Sequence, residues 1–153
     1  MTKDKNSKPH DHSIVVSENG LGPYQQMVYA GRHRLIADEP VAMGGSDAGP
    51  APFDFLLASL GACTSITLRM YAERKHLPLT GVSVELMHDR IEVDGHGKID
   101  RISRTITLAG DLTGEQRGKL LAIANKCPMY RVLQSDIHID SVLADRDLAA
   151  PVR

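Results

Sequence analysis

The chain sets several short apolar runs around one long apolar stretch. Ser13 to Ser17 (S-I-V-V-S) stops at Asn19-Gly20 and Gly22-Pro23, which predicts a strand ending in turns. Tyr24 to Tyr29 and Arg32 to Ala37 flank Ala30-Gly31, a pattern that predicts a tight hairpin. Pro40, Gly44-Gly45, Gly49-Pro50 and Pro52 then mark a loop rich in Gly and Pro. The loop contains neither GxGxxG nor GxxxxGK[ST], so nothing in it suggests a phosphate cradle.

The stretch from Phe53 to Lys75 predicts the longest helix. Pro52 stands at its start, Pro78 lies just beyond its end, and Arg74 and Lys75 fall in the last turn, where positive charge suits the helix dipole. Phe53, Leu56, Leu57, Leu60, Cys63, Ile66 and Met70, together with Phe55, Ala58 and Ala62, make the first turns apolar nearly all round. A helix of that kind needs cover on every side: a sheet on one, a neighbour on the other. Its most apolar part, Phe55 to Leu68, is interrupted by Ser59, Thr64 and Ser65. That part is shorter than the roughly twenty residues a membrane span needs, so the expectation is a buried helix of a soluble protein.

Val82, Val84 and Leu86 alternate with polar residues, and Ile91 and Val93 continue on the opposite parity. The phase change suggests a bulge near Met87 to Asp89, or an end to the strand. Asp94-Gly95-His96-Gly97 predicts a hairpin turn, and Ile102, Ile106 and Leu108 alternate with Ser103, Thr105 and Thr107 in a long half-buried strand. Thr113-Gly114-Glu115-Gln116 has the capping-box pattern, with Leu120, Leu121, Ile123 and Ala124 as the stripe of the helix that follows. That helix must stop or bend at Cys127-Pro128, because proline disfavours helical geometry in the residue before it. Pro128 can start a short helix through Leu133, which leaves Cys127 at an N-cap position. Ile137 and Ile139 suggest a final strand. The order is strands, long helix, hairpin, two helices and strand, an α+β class. The expected organisation is a disordered tail over 1–12, a single domain over 13–143 and a C-terminal tail over 144–153.

Composition narrows the function classes. The 153 residues carry 18 Lys plus Arg against 19 Asp plus Glu, a formal net charge of −1. With no Lys/Arg block, there is no electrostatic reason to expect nucleic acid or an anionic membrane as partner. Two Phe, four Tyr and no Trp leave a core of Leu, Ile, Val, Ala and Met. Two cysteines exclude a disulfide-stapled mini-protein, a four-Cys zinc site and a cysteine-ligated iron–sulfur cluster. The seven His, apart from the pair His10 and His12, are scattered singly, with none at ligand spacing from a cysteine. The expectation is therefore no metal and no cofactor. Met1 to His12 has no apolar run and is not a signal peptide, which makes a cytoplasmic setting the expectation.

Each cysteine alone reads first as a small buried hydrophobe. Cys127 has a stronger claim to chemistry, since a thiolate at a helix N-terminus faces unpaired N–H groups and the positive dipole end, which lower its pKa. A permanent structural bridge to Cys63 is disfavoured in a reducing compartment. The functional alternative is a redox pair, in which one thiolate becomes sulfenic acid and the other condenses with it to a disulfide.

Gly49-Pro-Ala-Pro-Phe-Asp-Phe-Leu-Leu-Ala-Ser-Leu-Gly-Ala-Cys63-Thr resembles the signature helix of the OsmC/Ohr superfamily. Asn125-Lys-Cys127-Pro-Met-Tyr-Arg131 resembles that family's second-cysteine motif, and Gly31-Arg-His-Arg-Leu-Ile-Ala-Asp-Glu-Pro40 resembles its branch of small OsmC-like, predicted redox proteins. The resemblance implies an OsmC-like fold, with an antiparallel sheet wrapped around a long central helix in an intertwined homodimer. It also implies thiol-dependent reduction of organic hydroperoxides in oxidative-stress defence, fed by a lipoyl-type or similar dithiol. By position, Cys63 would attack the peroxide and Cys127 would resolve the intermediate.

The sequence departs from the peroxidase pattern in three places. Phe53 stands where the peroxidase branches have a Glu, the nearest acid being Asp54. No Arg lies between Ser17 and Gly22, where they place one in the loop between the first two strands; Arg32 or Arg34 could supply it from a partner subunit. Tyr130 stands where many relatives have His, keeping a hydrogen-bonding tip without a base near neutral pH. The alternative that these departures support is a non-catalytic, ligand-binding dimer whose cysteines are merely packed.

Overall fold

A computed structural model describes residues 13–144; those up to Pro52, with Ala144, form one compact unit, and Phe53–Leu143 form a second. The expected tail 1–12 and nearly all of the one from 144 onward, including His10 and His12, lie outside the described residues.

The first unit is a three-stranded antiparallel sheet of β1 (Ile14–Glu18), β2 (Gln26–Ala30) and β3 (His33–Ala37), in the order β1-β2-β3. The β2–β3 hairpin turns at Gly31-Arg32, and Gly31 takes φ 59°, which a side chain would resist. Asp38 follows β3 and is buried, 2% exposed. Its Oδ1 accepts from the Glu39 N–H at 2.8 Å, and its Oδ2 from the N–H groups of Ser46 at 3.2 Å and Ala48 at 3.1 Å. One carboxylate thus ties down the Gly/Pro-rich loop. The Ala48 N–H most of all, and then those of Glu39 and Ser46, hold its pKa below the usual carboxylate value against the opposing effect of burial.

The second unit contains α1 (Pro52–Arg74), the hairpin of β4 (Gly81–Val93) and β5 (Gly97–Ala109), α2 (Gly114–Ala124) and α3 (Pro128–Leu133). Leu68, Ala72, Leu79, Leu120 and Ala124 form its core, with Val82, Ile106 and Leu108 of the hairpin packed against them. Leu60, Gly61, Thr64, Leu68 and Ala72 make the buried stripe of α1. A Cβ on Gly61 would come within 2.8 Å of Leu86 Cδ1, so glycine there lets α1 lie close against β4. By length and composition α1 could also cross a membrane, but here its buried stripe packs in a core with β4, β5 and α2. The rest of α1 is less covered than its composition predicts: Ile66 is 59% exposed and Met70 58%.

The α+β class stands, with the strands divided between a three-stranded and a two-stranded sheet. Two details differ from the sequence expectation. No bulge interrupts β4, which pairs residue by residue from Gly81↔Ala109 to Val93↔Gly97. The apolar residues change parity because the hairpin changes its covered face: Val82, Val84 and Leu86 are half-buried on one side, and Ile91 and Val93 on the other. Ile137 and Ile139 form no strand; the chain from Asp136 to Ala144 is irregular, with Ile139 79% exposed. Alternation makes a strand possible, but only a hydrogen-bonding neighbour makes one, and none of the described strands supplies it.

Candidate functional site

Cys63 lies midway along α1 and is half-buried; Cys127 is fully buried just ahead of α3. The α3 start follows from local chemistry. Pro128 occupies the first turn, and Cys127 takes the extended N-cap geometry (φ −61°, ψ 145°). Its sulfur accepts from the Tyr130 N–H at 3.4 Å, the place a cap oxygen normally fills.

Thr64 brings the two cysteine segments together. One residue beyond Cys63, it is fully buried, and its Oγ1 lies 3.7 Å from Cys127 Sγ. The Thr64 hydroxyl also donates to the Leu60 carbonyl at 2.7 Å. The Cys63 thiol is among the groups that favour the Cys127 thiolate.

The charged group beside the pair is Arg104, which the sequence reading overlooked. It sits between Ile102 and Ile106 on the half-buried face of β5. Its Nη1 donates to Thr64 Oγ1 at 2.8 Å and to the Ala124 carbonyl at 3.3 Å, and its Nη2 donates to Asn125 Oδ1 at 2.7 Å. The guanidinium carbon lies 5.2 Å from the centroid of the Tyr130 ring, a cation–π arrangement. A cation also suits the end of α2, whose last carbonyls carry partial negative charge. The signal was present in Ile102-Ser-Arg104-Thr-Ile106: an arginine on the inward parity of a strand, where an unsatisfied charge would be costly.

These contacts decide the acidity of Cys127. Burial pushes the thiol up, but the Tyr130 N–H, the Thr64 hydroxyl, the Cys63 thiol and the Arg104 charge all favour the thiolate. Together they bring its pKa below the ordinary thiol value.

A cavity of about 530 Å³ adjoins this cluster. Leu56, Leu60, Ile106 and Leu121 give it apolar walls, and Arg104, Asn125 and Tyr130 stand at its polar side. Phe53 and His88 also line it, their rings stacked with centroids 4.4 Å apart at 18°. His88 Nε2 lies 2.9 Å from Asp100 Oδ1, which Arg90 Nε also approaches at 3.3 Å. The structure thus gathers Cys63, Cys127 and Tyr130, with Phe53 on the adjoining cavity. Asp54 sits in the first turn of α1, where the dipole favours a carboxylate. Arg32 and Arg34 belong to the β2–β3 hairpin of the first unit; Arg34 lies over the Tyr29 ring at 5.1 Å and Arg32 is exposed in the turn. Among the described residues, no cluster of three or more His, Cys, Asp or Glu could hold a metal ion.

No curated protein sequence matches the chain significantly. Solved structures do. The OsmC-like protein of Mycoplasma pneumoniae superposes with a TM-score of 0.68 at 17% identity, over 83% of this chain and 89% of that one. Two organic hydroperoxide resistance proteins also match. That of Legionella pneumophila has a TM-score of 0.60 at 19% identity, over 80% of this chain and 89% of that one. That of Elizabethkingia anophelis has a TM-score of 0.60 at 16% identity, over 84% and 93%. At these identities the likeness is one of fold. The sequence itself matches the model of the family described as OsmC-like protein over residues 44–142, a span that contains both cysteine motifs, and with it the chain belongs to the OsmC-like protein family.

Proposed function

We propose that this chain is a thiol-dependent redox protein that reduces organic hydroperoxides through Cys63 and Cys127. The observation that carries the reading is the cysteine pair itself. A half-accessible thiol lies next in sequence to Thr64, whose hydroxyl is 3.7 Å from a buried thiol whose surroundings favour its thiolate. Cys63 attacks the peroxide and becomes sulfenic acid as the alcohol leaves. Cys127 then displaces the hydroxyl oxygen to form the disulfide, and a lipoyl-type or similar dithiol reopens it. The apolar walls of the adjoining cavity suit the carbon skeleton of such a substrate. Two of the structural neighbours carry the name organic hydroperoxide resistance protein, which supports the same substrate class.

The working unit in this reading is a cytoplasmic, intertwined homodimer. Ile66 and Met70 on α1 and Ile139, Val142 and Leu143 beyond α3 are left exposed in one chain, and a second copy would cover them.

The test is direct. Reduced protein is treated with tert-butyl hydroperoxide, free thiols are blocked, and the peptides are analysed by mass spectrometry. A Cys63–Cys127 disulfide supports the proposal, and two unmodified thiols at modest peroxide excess defeat it.

A second reading, a non-catalytic ligand-binding dimer, draws on two observations: neither cysteine lines the cavity, and Cys127 is fully buried. It wins if Cys63→Ser consumes peroxide with a dithiol at the rate of the unsubstituted protein.

A further inference from the structure

A guanidinium carries five N–H hydrogens and keeps its charge at any physiological pH. In Arg104, Nη1 commits both of its hydrogens, to Thr64 Oγ1 and the Ala124 carbonyl, and Nη2 commits one, to Asn125 Oδ1. The Nε hydrogen and the second Nη2 hydrogen have no acceptor among the described residues. No carboxylate of the described residues forms an ion pair with the group either. The Tyr130 ring face, 5.2 Å from the guanidinium carbon, compensates the charge in part. A half-buried cation with two uncommitted donors is suited to an anion.

The cavity shows what kind of anion. Among the described residues, no side-chain nitrogen or oxygen is both buried and without a partner, so the Arg104 Nε is open to solvent. Arg104 lines the cavity of about 530 Å³, a size within the range of small-molecule sites. Tyr130 lines it too, and its hydroxyl makes no hydrogen bond among the described residues. The carboxylate in the lining, Asp100, is already engaged by His88 Nε2 at 2.9 Å and Arg90 Nε at 3.3 Å. Leu56, Leu60, Ile102, Ile106, Leu121 and Leu133 supply the apolar walls. A bare inorganic anion would leave those walls in water, and a neutral hydrocarbon would leave the guanidinium donors unpaired. A molecule with one anionic head and one apolar body satisfies both.

We infer that the cavity is a binding site for an amphipathic monocarboxylate, whose carboxylate is held by the two uncommitted Arg104 donors and the Tyr130 hydroxyl and whose apolar body lies along the leucine and isoleucine walls. The carboxylate geometry matches the planar guanidinium, and the pairing is a charge-assisted one. Neither cysteine lines the cavity, so this is non-covalent binding and does not rest on the proposed redox chemistry.

The experiment is isothermal titration calorimetry of the full chain with octanoate, kept below micelle-forming concentrations, and with 1-octanol as the uncharged counterpart. Folding of each variant is checked by circular dichroism. Octanoate should bind saturably, one per chain, and more tightly than octanol. Arg104→Met should weaken octanoate about tenfold or more, the usual size of removing a charged hydrogen-bond partner, and leave octanol nearly unchanged. Tyr130→Phe should weaken octanoate by a smaller factor. Leu121 lies on the exposed side of α2 while lining the cavity, so Leu121→Glu puts a competing carboxylate there with little risk to the fold. It should weaken octanoate far more than Leu121→Gln does. No saturable octanoate binding, as when a second copy fills the cavity, overturns the inference. So does octanol binding as tightly, or octanoate binding that ignores Arg104→Met in the folded protein. If Arg104→Met does not fold, the Leu121→Glu and Leu121→Gln pair decides: equal affinities overturn the inference. Cys63→Ser cannot complete a two-cysteine cycle but should bind octanoate as the unsubstituted protein does. Failure of the redox reading thus leaves this binding untouched, and active peroxide reduction without octanoate binding sinks this inference alone.

Discussion

Tyr130 donates its backbone N–H to the sulfur of Cys127 at 3.4 Å, so that a thiol caps α3 where an oxygen usually would. The atom that caps α3 is therefore also the proposed redox group, and two substitutions separate the roles. Cys127→Ser keeps a cap acceptor and should hold the melting temperature near that of the parent. Cys127→Ala leaves the N–H unpaired and should cost about 1 kcal/mol in chemical denaturation. Both should abolish disulfide formation with Cys63.

The same site makes stability depend on pH. The Cys127 pKa is lower in the folded chain than in the unfolded one, so the folded state gives up its proton first as pH rises. The stabilisation is complete above the unfolded thiol value, about 8.5, and is lost as pH falls through the folded value. Urea denaturation across that range should show a rise in stability with pH in Cys63→Ser protein that is absent from Cys63→Ser/Cys127→Ser. Equal slopes for the two proteins would contradict it.

Asp38 offers a second pH test, in the first unit. The Ala48, Glu39 and Ser46 N–H groups lower its pKa in the folded state. Its contribution is present above the unfolded carboxylate value of about 3.9 and fades as pH falls through the folded one. Asp38→Asn should lower the melting temperature at neutral pH, and the gap from the parent should close in acid.

Leu68 is fully buried at the centre of the core of the second unit. Truncation there removes apolar contact and leaves a cavity, at a cost of about 2–5 kcal/mol. Leu68→Ala should show this in its denaturation midpoint, whereas Ile66→Ala on the exposed side of the same helix should cost far less in a monomer. If the chain dimerises over that side, Ile66→Ala should gain concentration dependence in its melting.

The exposed segment after α3 supplies a test of assembly. Ile139 is 79% exposed in one chain. If a second copy covers it, Ile139→Lys should shift the protein from dimer to monomer in light scattering coupled to size exclusion. A substituted protein with the parent's mass would argue that the segment is not part of an interface.

Much of the site's local framework can be read along the chain. Pro52 and Pro78 bracket α1, Thr113 and Gln116 form the capping box of α2, and Pro128 leaves Cys127 at the head of α3. Each depends on chemistry between residues a few positions apart. The missing bulge and the missing last strand show where that reasoning stops. The parity change at Met87–Asp89 and the alternation at Ile137 and Ile139 are real patterns. What they mean depends on which surface covers each face and on whether another strand lies alongside.

The sequence alone determined the helix boundaries, the hairpins, the α+β class and the two cysteine motifs, because caps, turns and periodicity act over a few residues at a time. Only the tertiary structure decided which cation stands beside the buried thiol. Thr64, Arg104 and Cys127 come from a helix, a strand and a helix cap far apart in the chain, and nothing near any one of them encodes the other two. Packing α1 and α2 against β4 and β5 puts the guanidinium beside the buried sulfur. A strand arginine between two isoleucines thereby becomes part of a thiol site.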